Sequence, residues 1–414
     1  MFKNHALAFY YHRINSYSFN ALAGAIDADT ELADIPIGIA LTADALRERI
    51  SEDLQNHSRA IAAFSIMTCQ FEETSRLIKR LRGEHGGRLT VIAGGPHVTA
   101  RPEDVLRAGA DIVFRGEAEI SFPRVLKALL RGTDCAPVQS ADTLTDLDRT
   151  YSFSPKREMF GPIEITRGCA FACRFCQTSQ IFGAGLRHRS IEKIVRQAES
   201  LRSINRKIVR LLSPNAFSYG SPDGRKLNLV AVRDLLAALR ESLPADGRII
   251  FAHFPSEARP EHVTPDTLSL LDEFADNDEI VIGAQSGSRR MLDACGRAHT
   301  VEDVISAVAC AKKHGYKIIV DFMFGLPGEN DADRRESLSV MREIVGMGAR
   351  IHMHVFAPLP QTAFANEAPG GISPFFLNAI NEFRALGAIY ENAPGPRKKF
   401  YAVNAGEHKH FGIL

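Results

Sequence analysis

Residues 163–176 read IEITRGCAFACRFC, a short β-branched run that opens into a loop with three cysteines in eight residues. Ile163 to Thr166 has the alternation of a strand. The loop spaces its thiols Cys-x3-Cys-x2-Cys, at Cys169, Cys173 and Cys176. Three thiolates on one loop can hold three irons of a 4Fe-4S cluster and leave the fourth iron open, whereas structural zinc wants four closed ligands. A zinc knuckle would have to borrow a distant histidine or Cys295. Seven cysteines is an odd count, and their crowding points to metal ligation rather than disulfides.

The same strand-then-helix rhythm runs on from this stretch. Strand candidates are 163–166, 207–213, 248–254, 279–285, 317–324 and 350–356, with helical patterns at about 190–204, 228–243, 265–276, 300–314, 331–347 and 375–388. Six β/α units are too few for a closed eight-fold barrel but suit an open one, with its chemistry at the carboxyl ends of the strands. The expected fold class is α/β: residues 161–390 form an open (β/α)6 partial TIM barrel, and 391–414 a tail without a clear period. Upstream, apolar runs at 6–11, 35–40, 60–66, 89–95 and 111–116 alternate with amphipathic stretches, so residues 1–131 read as a doubly wound Rossmann-like domain. Between the two, 132–160 gathers Asp, Thr, Ser and Pro and reads as a linker.

Composition narrows the function classes. Of 414 residues, 45% are apolar and 24% charged, the balance of a soluble globular protein. Fifty basic against 49 acidic residues leave a net charge of +1, so no nucleic-acid or membrane partner is indicated. No apolar run approaches the ~18 residues of a membrane span, and the first residues lack a signal-peptide pattern. A cytoplasmic location is the expectation.

The cysteine triplet, with Phe175 before its last member and its place after the first barrel strand, resembles the radical S-adenosylmethionine superfamily. That resemblance implies a 4Fe-4S cluster on Cys169, Cys173 and Cys176, whose open iron binds S-adenosylmethionine. Residues 211–220 (LLSPNAFSYG), 283–300 (GAQSGSRRMLDACGRAHT) and 320–330 (VDFMFGLPGEN) are similar to loops of the branch that includes the methylthiotransferases. By that analogy Ser213, Ser256, Gln285 and Ser286 touch the methionine or ribose of the cofactor, and Phe175 and Phe324 flank its adenine.

The first domain resembles cobalamin-binding domains. Ser65-Ile66-Met67 is followed, after 26 residues, by Gly94-Gly95, matching the last two elements of their motif. Small residues there let the backbone approach the nucleotide tail in a crevice at the strand ends. Segments 94–106 and 114–119 are similar as well, which makes Ser65, Met67, Thr68, Gly94, Gly95, Pro96, His97 and Glu117 the implied cobalamin contacts. Counting back from Ser65 puts the family's ligand histidine on Ala21, so a cobalt without a protein imidazole below it is implied.

Taken together, the resemblance is to compact archaeal cobalamin-dependent radical S-adenosylmethionine methyltransferases, which methylate unactivated carbon by way of methylcobalamin. Their members include the glutamine C-methyltransferases of methanogens. The implied partners are a protein or peptide substrate such as methyl-coenzyme M reductase, and an electron donor such as a ferredoxin. His352 and His354, two apart on the last strand, share a side and are expected to meet substrate at the barrel mouth as catalytic residues. The alternatives are a cobalamin-dependent cyclase, a methylthiotransferase acting on transfer RNA, or a non-catalytic cobalamin sensor. A methylthiotransferase should carry a second cluster and a basic RNA-binding module, yet only Cys69 and Cys135 precede the triplet.

Overall fold

The computed structural model describes residues 4–141, 144–370 and 374–390. The expected tail, 391–414, lies outside the described residues. The chain divides into two compact units, Met1–Ile163 and Glu164–Leu414.

In the first unit, β1 (His5–Tyr10), β2 (Ile37–Ala40), β3 (Arg59–Ser65), β4 (Leu89–Gly94), β5 (Ile112–Arg115) and β6 (Val138–Ser140) form one sheet in the order β2-β1-β3-β4-β5-β6. Every pairing is parallel. Helices α1 (Ser16–Ala28), α2 (Ala43–Asn56), α3 (Phe71–His85), α4 (Pro96–Ala100), α5 (Pro102–Arg107) and α6 (Ser121–Leu130) connect the strands. Buried on both faces, the strands read as apolar runs rather than alternating ones. Ala8, Tyr10 and Phe64 pack with Leu77, Ile78 and Leu81 of α3 on one side. Leu7 and Phe9 pack with Phe19 and Ile26 of α1 and Leu126 of α6 on the other. The expected linker is largely built into this unit. It supplies β6, and Arg157 pairs with Asp27 at 2.7 Å. The edge strand escapes a periodicity reading because it has three residues and two of them are exposed.

The second unit contains β7 (Ile163–Glu164), β8 (Thr166–Arg167), β9 (Arg187–His188), β10 (Ile208–Leu212), β11 (Arg248–Ile250), β12 (Glu279–Gln285), β13 (Lys317–Phe324) and β14 (Arg350–Val355). Its helices are α7 (Thr178–Phe182), α8 (Ile191–Arg202), α9 (Leu229–Ser242), α10 (Pro265–Phe274), α11 (Arg289–Cys295), α12 (Val301–Lys313), α13 (Asp331–Gly346) and α14 (Pro374–Ala385). Two three-stranded sheets, β11-β10-β7 and β12-β13-β14, are joined by a parallel bridge between Ala258 and Ile282. The result is the open six-unit barrel expected from the sequence. After α14 the chain returns to β14, where Ile351 N donates to Ala388 O and Tyr390 N to Ile351 O, both at 2.7 Å. The free edge is therefore partly covered. Helix starts follow local chemistry: Thr42, Ser190, Thr264, Thr300 and Asn330 each accept a backbone N–H of the first turn. No described helix is long and apolar enough to cross a membrane.

Candidate functional site

The cysteine loop is pinned at several points. Cys169 N donates to Gly183 O at 3.1 Å, and Ser179 Oγ to Cys169 O at 2.7 Å. Cys176 N donates to Cys173 O and Arg174 N to Cys295 O, each at 2.9 Å. Cys173 is buried, while Cys169 and Cys176 are half-buried, so the thiols are sheltered without being sealed. Burial pushes the Cys295 thiol up to about 12; it remains protonated and is a poor fourth ligand. Among the described residues, the one set of three or more ligand atoms all within 4.8 Å of one another is that of Asp321, His352 and His354. Three thiols on one loop, with no fourth cysteine free to ionise beside them, suit a cluster with an open iron better than a closed tetrahedral zinc site.

Around this loop the sequence-predicted residues fall into two groups. Gln285 ends β12 with φ +72°, a strained value for a residue with a side chain, and its buried Oε1 has no hydrogen-bond partner. Such an orphan acceptor suits a cofactor donor. Ser213, Ser256 and Ser286 are buried and already engaged. Ser256 Oγ receives Ser213 N at 3.0 Å and donates to Ser213 O at 2.9 Å, while Ser286 Oγ lies 3.3 Å from Ser337 Oγ. They tie the strand-end loops together.

Phe175 shares an apolar cluster with Met291, Leu326 and Met323. Phe324 does not join that cluster. It alternates with Met323 on β13 and packs instead on Phe376 of α14, ring centroids 4.1 Å apart. The two rings therefore do not flank one space, because neighbours along a strand face opposite sides.

His352 and His354 converge on Asp321, which sequence reasoning missed. Asp321 Oδ1 lies 2.9 Å from His352 Nδ1, and Oδ2 3.8 Å from His354 Nε2. Although burial opposes ionisation, the two histidines hold the Asp321 carboxyl below the usual range. Burial lowers the His354 pKa, but Asp321 outweighs it and raises the value. Glu257 joins them: burial and then the Asp321 charge push its carboxyl up to about 7, though part of its surface stays open. The signal for Asp321 was a lone carboxylate inside the apolar run KIIVDFMF, since a buried charge demands partners. His352 is almost fully buried, 2% exposed, and His354 keeps 29% of its side-chain surface. His354 is thus the more accessible member of the pair.

In the first unit the strand order reverses between β1 and β3, and ligands of open parallel sheets bind at such a switch point. Ser65 closes β3 there, with its buried Oγ unpartnered. Gly95 has φ +102°, and a Cβ on it would stand 2.7 Å from Ile66 N and 3.0 Å from Ser65 Oγ. His97 Nδ1 lies 3.3 Å from Thr68 Oγ1, its ring stacks on Phe71 at 4.2 Å, and burial lowers its pKa. Ser65, Thr68, Gly94, Gly95, Pro96 and His97 therefore gather at the ends of β3 and β4, with Met67 in the turn between them. An unpartnered hydroxyl beside a glycine cradle fits a nucleotide tail. Glu117, two residues past β5, has its carboxylate accepting Thr145 N at 3.0 Å, which organises the loop beyond β6. Ala21 lies inside α1, whereas the turn after β1 carries His12.

Two family models match. Residues 163–341 match the Radical SAM superfamily and residues 10–126 the B12 binding domain. An uncharacterized protein of Methanopyrus kandleri is 24% identical over 357 residues, 74% of this chain and 67% of that protein. An uncharacterized methyltransferase of Pyrococcus horikoshii is 24% identical over 280 residues, 61% and 58% of the two chains. A tRNA-2-methylthio-N(6)-dimethylallyladenosine synthase of Geobacter metallireducens is 26% identical over 261 residues, 62% and 56%. The chain thus spans under two thirds of the length of the latter two. Among solved structures, the radical S-adenosylmethionine methyltransferase TsrM from Kitasatospora setae, with cobalamin and a [4Fe-4S] cluster bound, aligns with a TM-score of 0.66 at 15% identity, covering 88% of this chain and 74% of that one. The radical SAM domain implies a 4Fe-4S cluster and S-adenosylmethionine, and the B12-binding domain implies cobalamin. The chain joins these two domains in one cobalamin-dependent radical SAM enzyme.

Proposed function

We propose that this enzyme is a C-methyltransferase that acts on an unactivated carbon of a protein or peptide, with a glutamine residue of methyl-coenzyme M reductase as the substrate to try first. The observation that carries the reading is the presence in one chain of a three-cysteine loop and a Gly95–Ser65 cradle. Bound there, the cluster with S-adenosylmethionine supplies one-electron chemistry and cobalamin a carrier for the methyl group. Cys169, Cys173 and Cys176 hold the cluster, Gln285 Oε1 accepts from S-adenosylmethionine, and the Gly94–His97 turn receives the cobalamin tail. Arg297, which donates to Cys173 Sγ at 3.5 Å, places a buried cation beside the thiolates. Substrate enters the barrel interior on the side of His354, and a low-potential donor such as a ferredoxin supplies electrons. A methyltransferase-named relative and a methyltransferase structural neighbour support the reading.

The test is anaerobic incubation of the reconstituted enzyme with glutamine-containing peptides of methyl-coenzyme M reductase, S-adenosylmethionine, cobalamin and a reductant. Peptide heavier by one methylene, with both 5'-deoxyadenosine and S-adenosylhomocysteine, supports it. Deoxyadenosine without any methylated peptide discards the peptide substrate. Methylthiolation of a transfer RNA would favour the reading suggested by the synthase relatives.

A further inference from the structure

Asp321, His352 and His354 bring three metal-ligating groups to one point. Two imidazole rings meet at the carboxylate, centroids 4.5 Å apart and 79° from coplanar. All three donor atoms lie within 4.8 Å of one another. Their positions are fixed by a β-ladder: β13 and β14 pair in parallel, with Asp321 opposite His352 and Met323 opposite His354. Alternation then turns all three side chains to one side of the sheet, and strands hold ligands more precisely than loops do. Phe254 and Tyr390 close around the His352 ring at 5.1 and 5.7 Å, an apolar collar that keeps water from competing. Glu257, within electrostatic reach of both Asp321 and His354, brings a second carboxylate to the same place.

Two imidazoles and a carboxylate on one side of an ion, with further positions open, is a donor set that suits first-row divalent metals. We propose that Asp321, His352 and His354 bind one such cation, Zn2+ or Fe2+, separate from the cysteine-held cluster, and that its open position on the His354 side takes an oxygen donor of the substrate. The substrate half of this inference rests on the methyltransferase reading. The ion half does not.

Zinc titrated calorimetrically into the cluster-loaded, full-length protein should bind at one site per chain. His354→Ala should weaken that binding at least about tenfold, as loss of a metal-site group does, with the visible absorbance of the iron–sulfur cluster unchanged. Asp321→Asn should do the same. If the buried Asp321 variant misfolds, His354→Ala, at a part-exposed position, still decides the matter. Absence of binding, or equal affinity in His354→Ala, overturns the site. Zinc binding that does not alter the affinity for an accepted peptide would overturn only the substrate half, and a failure of methyl transfer would leave the ion site standing.

Discussion

Gly168 and Gly185 are pressed together so closely that a Cβ on Gly168 would stand 2.2 Å from the Gly185 carbonyl oxygen, and the Gly168 φ is +92°. The contact folds the cysteine loop back on the segment before β9 and lets Cys169 N reach Gly183 O. Gly168→Ala forces these backbones apart and places a side chain in left-handed conformation, at a cost of roughly 1–3 kcal/mol. The variant is expected to retain several-fold less iron after anaerobic reconstitution and to melt at lower temperature. Parental iron together with parental melting would show that the close approach is dispensable.

The thiols themselves give a second, sharper expectation. Cys173 is the buried member of the triplet and the one that Arg297 approaches. Cys173→Ala should remove most of the ~4 irons that a single 4Fe-4S cluster holds. Zinc in place of iron in the parent, or about twice that iron, would contradict a single open-cornered cluster.

For the cobalamin cradle the decisive position is Gly95. Its turn is held by Ile66 N donating to Gly94 O at 2.8 Å and His97 N donating to Ile66 O at 3.0 Å, and a methyl group would strike both atoms of Ile66. Gly95→Ala should therefore lower cobalamin affinity by at least about tenfold, equivalent to ~1.4 kcal/mol. The visible spectrum after desalting reads the retained cobalamin. Retention equal to the parent would move the tail elsewhere.

Much of this could be read from the chain because period and chemistry agreed. The strands KIIVDFMF and RIHMHVF announce themselves by β-branched and apolar content, and a three-cysteine loop after a strand carries its own metal logic. What escaped reading depended on direction in space. Phe324 is an aromatic beside a glycine turn in either picture, and only the strand register turns it toward α14 rather than toward Phe175. Glu117 sits in a segment of the right pattern, yet its carboxylate is captured by the Thr145 backbone 28 residues on. Asp321 was passed over because its partners come from the next strand, and parallel pairing is invisible in a single sequence.

The last expectation concerns acid stability. His299 has no exposed side-chain surface. Burial, followed by the charges of Arg297 and Arg259, drives its pKa down to about 2. In the folded chain it stays a neutral imidazole, with Nε2 3.1 Å from Ala284 O. Once unfolded it titrates near 6.5. Below that value the unfolded state binds a proton that the folded state refuses, so stability is full above about pH 6.5 and is lost as the pH falls toward the folded value. By pH 5 the loss from this one group is about 2 kcal/mol, at 1.36 kcal/mol for each unit of difference. Other groups titrate in the same window with either sign: burial lowers His188 and His262, whereas Asp321 raises His354 and burial raises Glu329. The measurement must therefore be a difference. His299→Gln keeps a donor for Ala284 O but cannot be protonated. It should cost stability at pH 7.5 and recover about 2 kcal/mol relative to the parent by pH 5, read from urea midpoints of the two proteins at both pH values. A constant difference between them across that range would mean that His299 is protonated in the fold and that the Arg259 and Arg297 charges do not act on it as their placement requires.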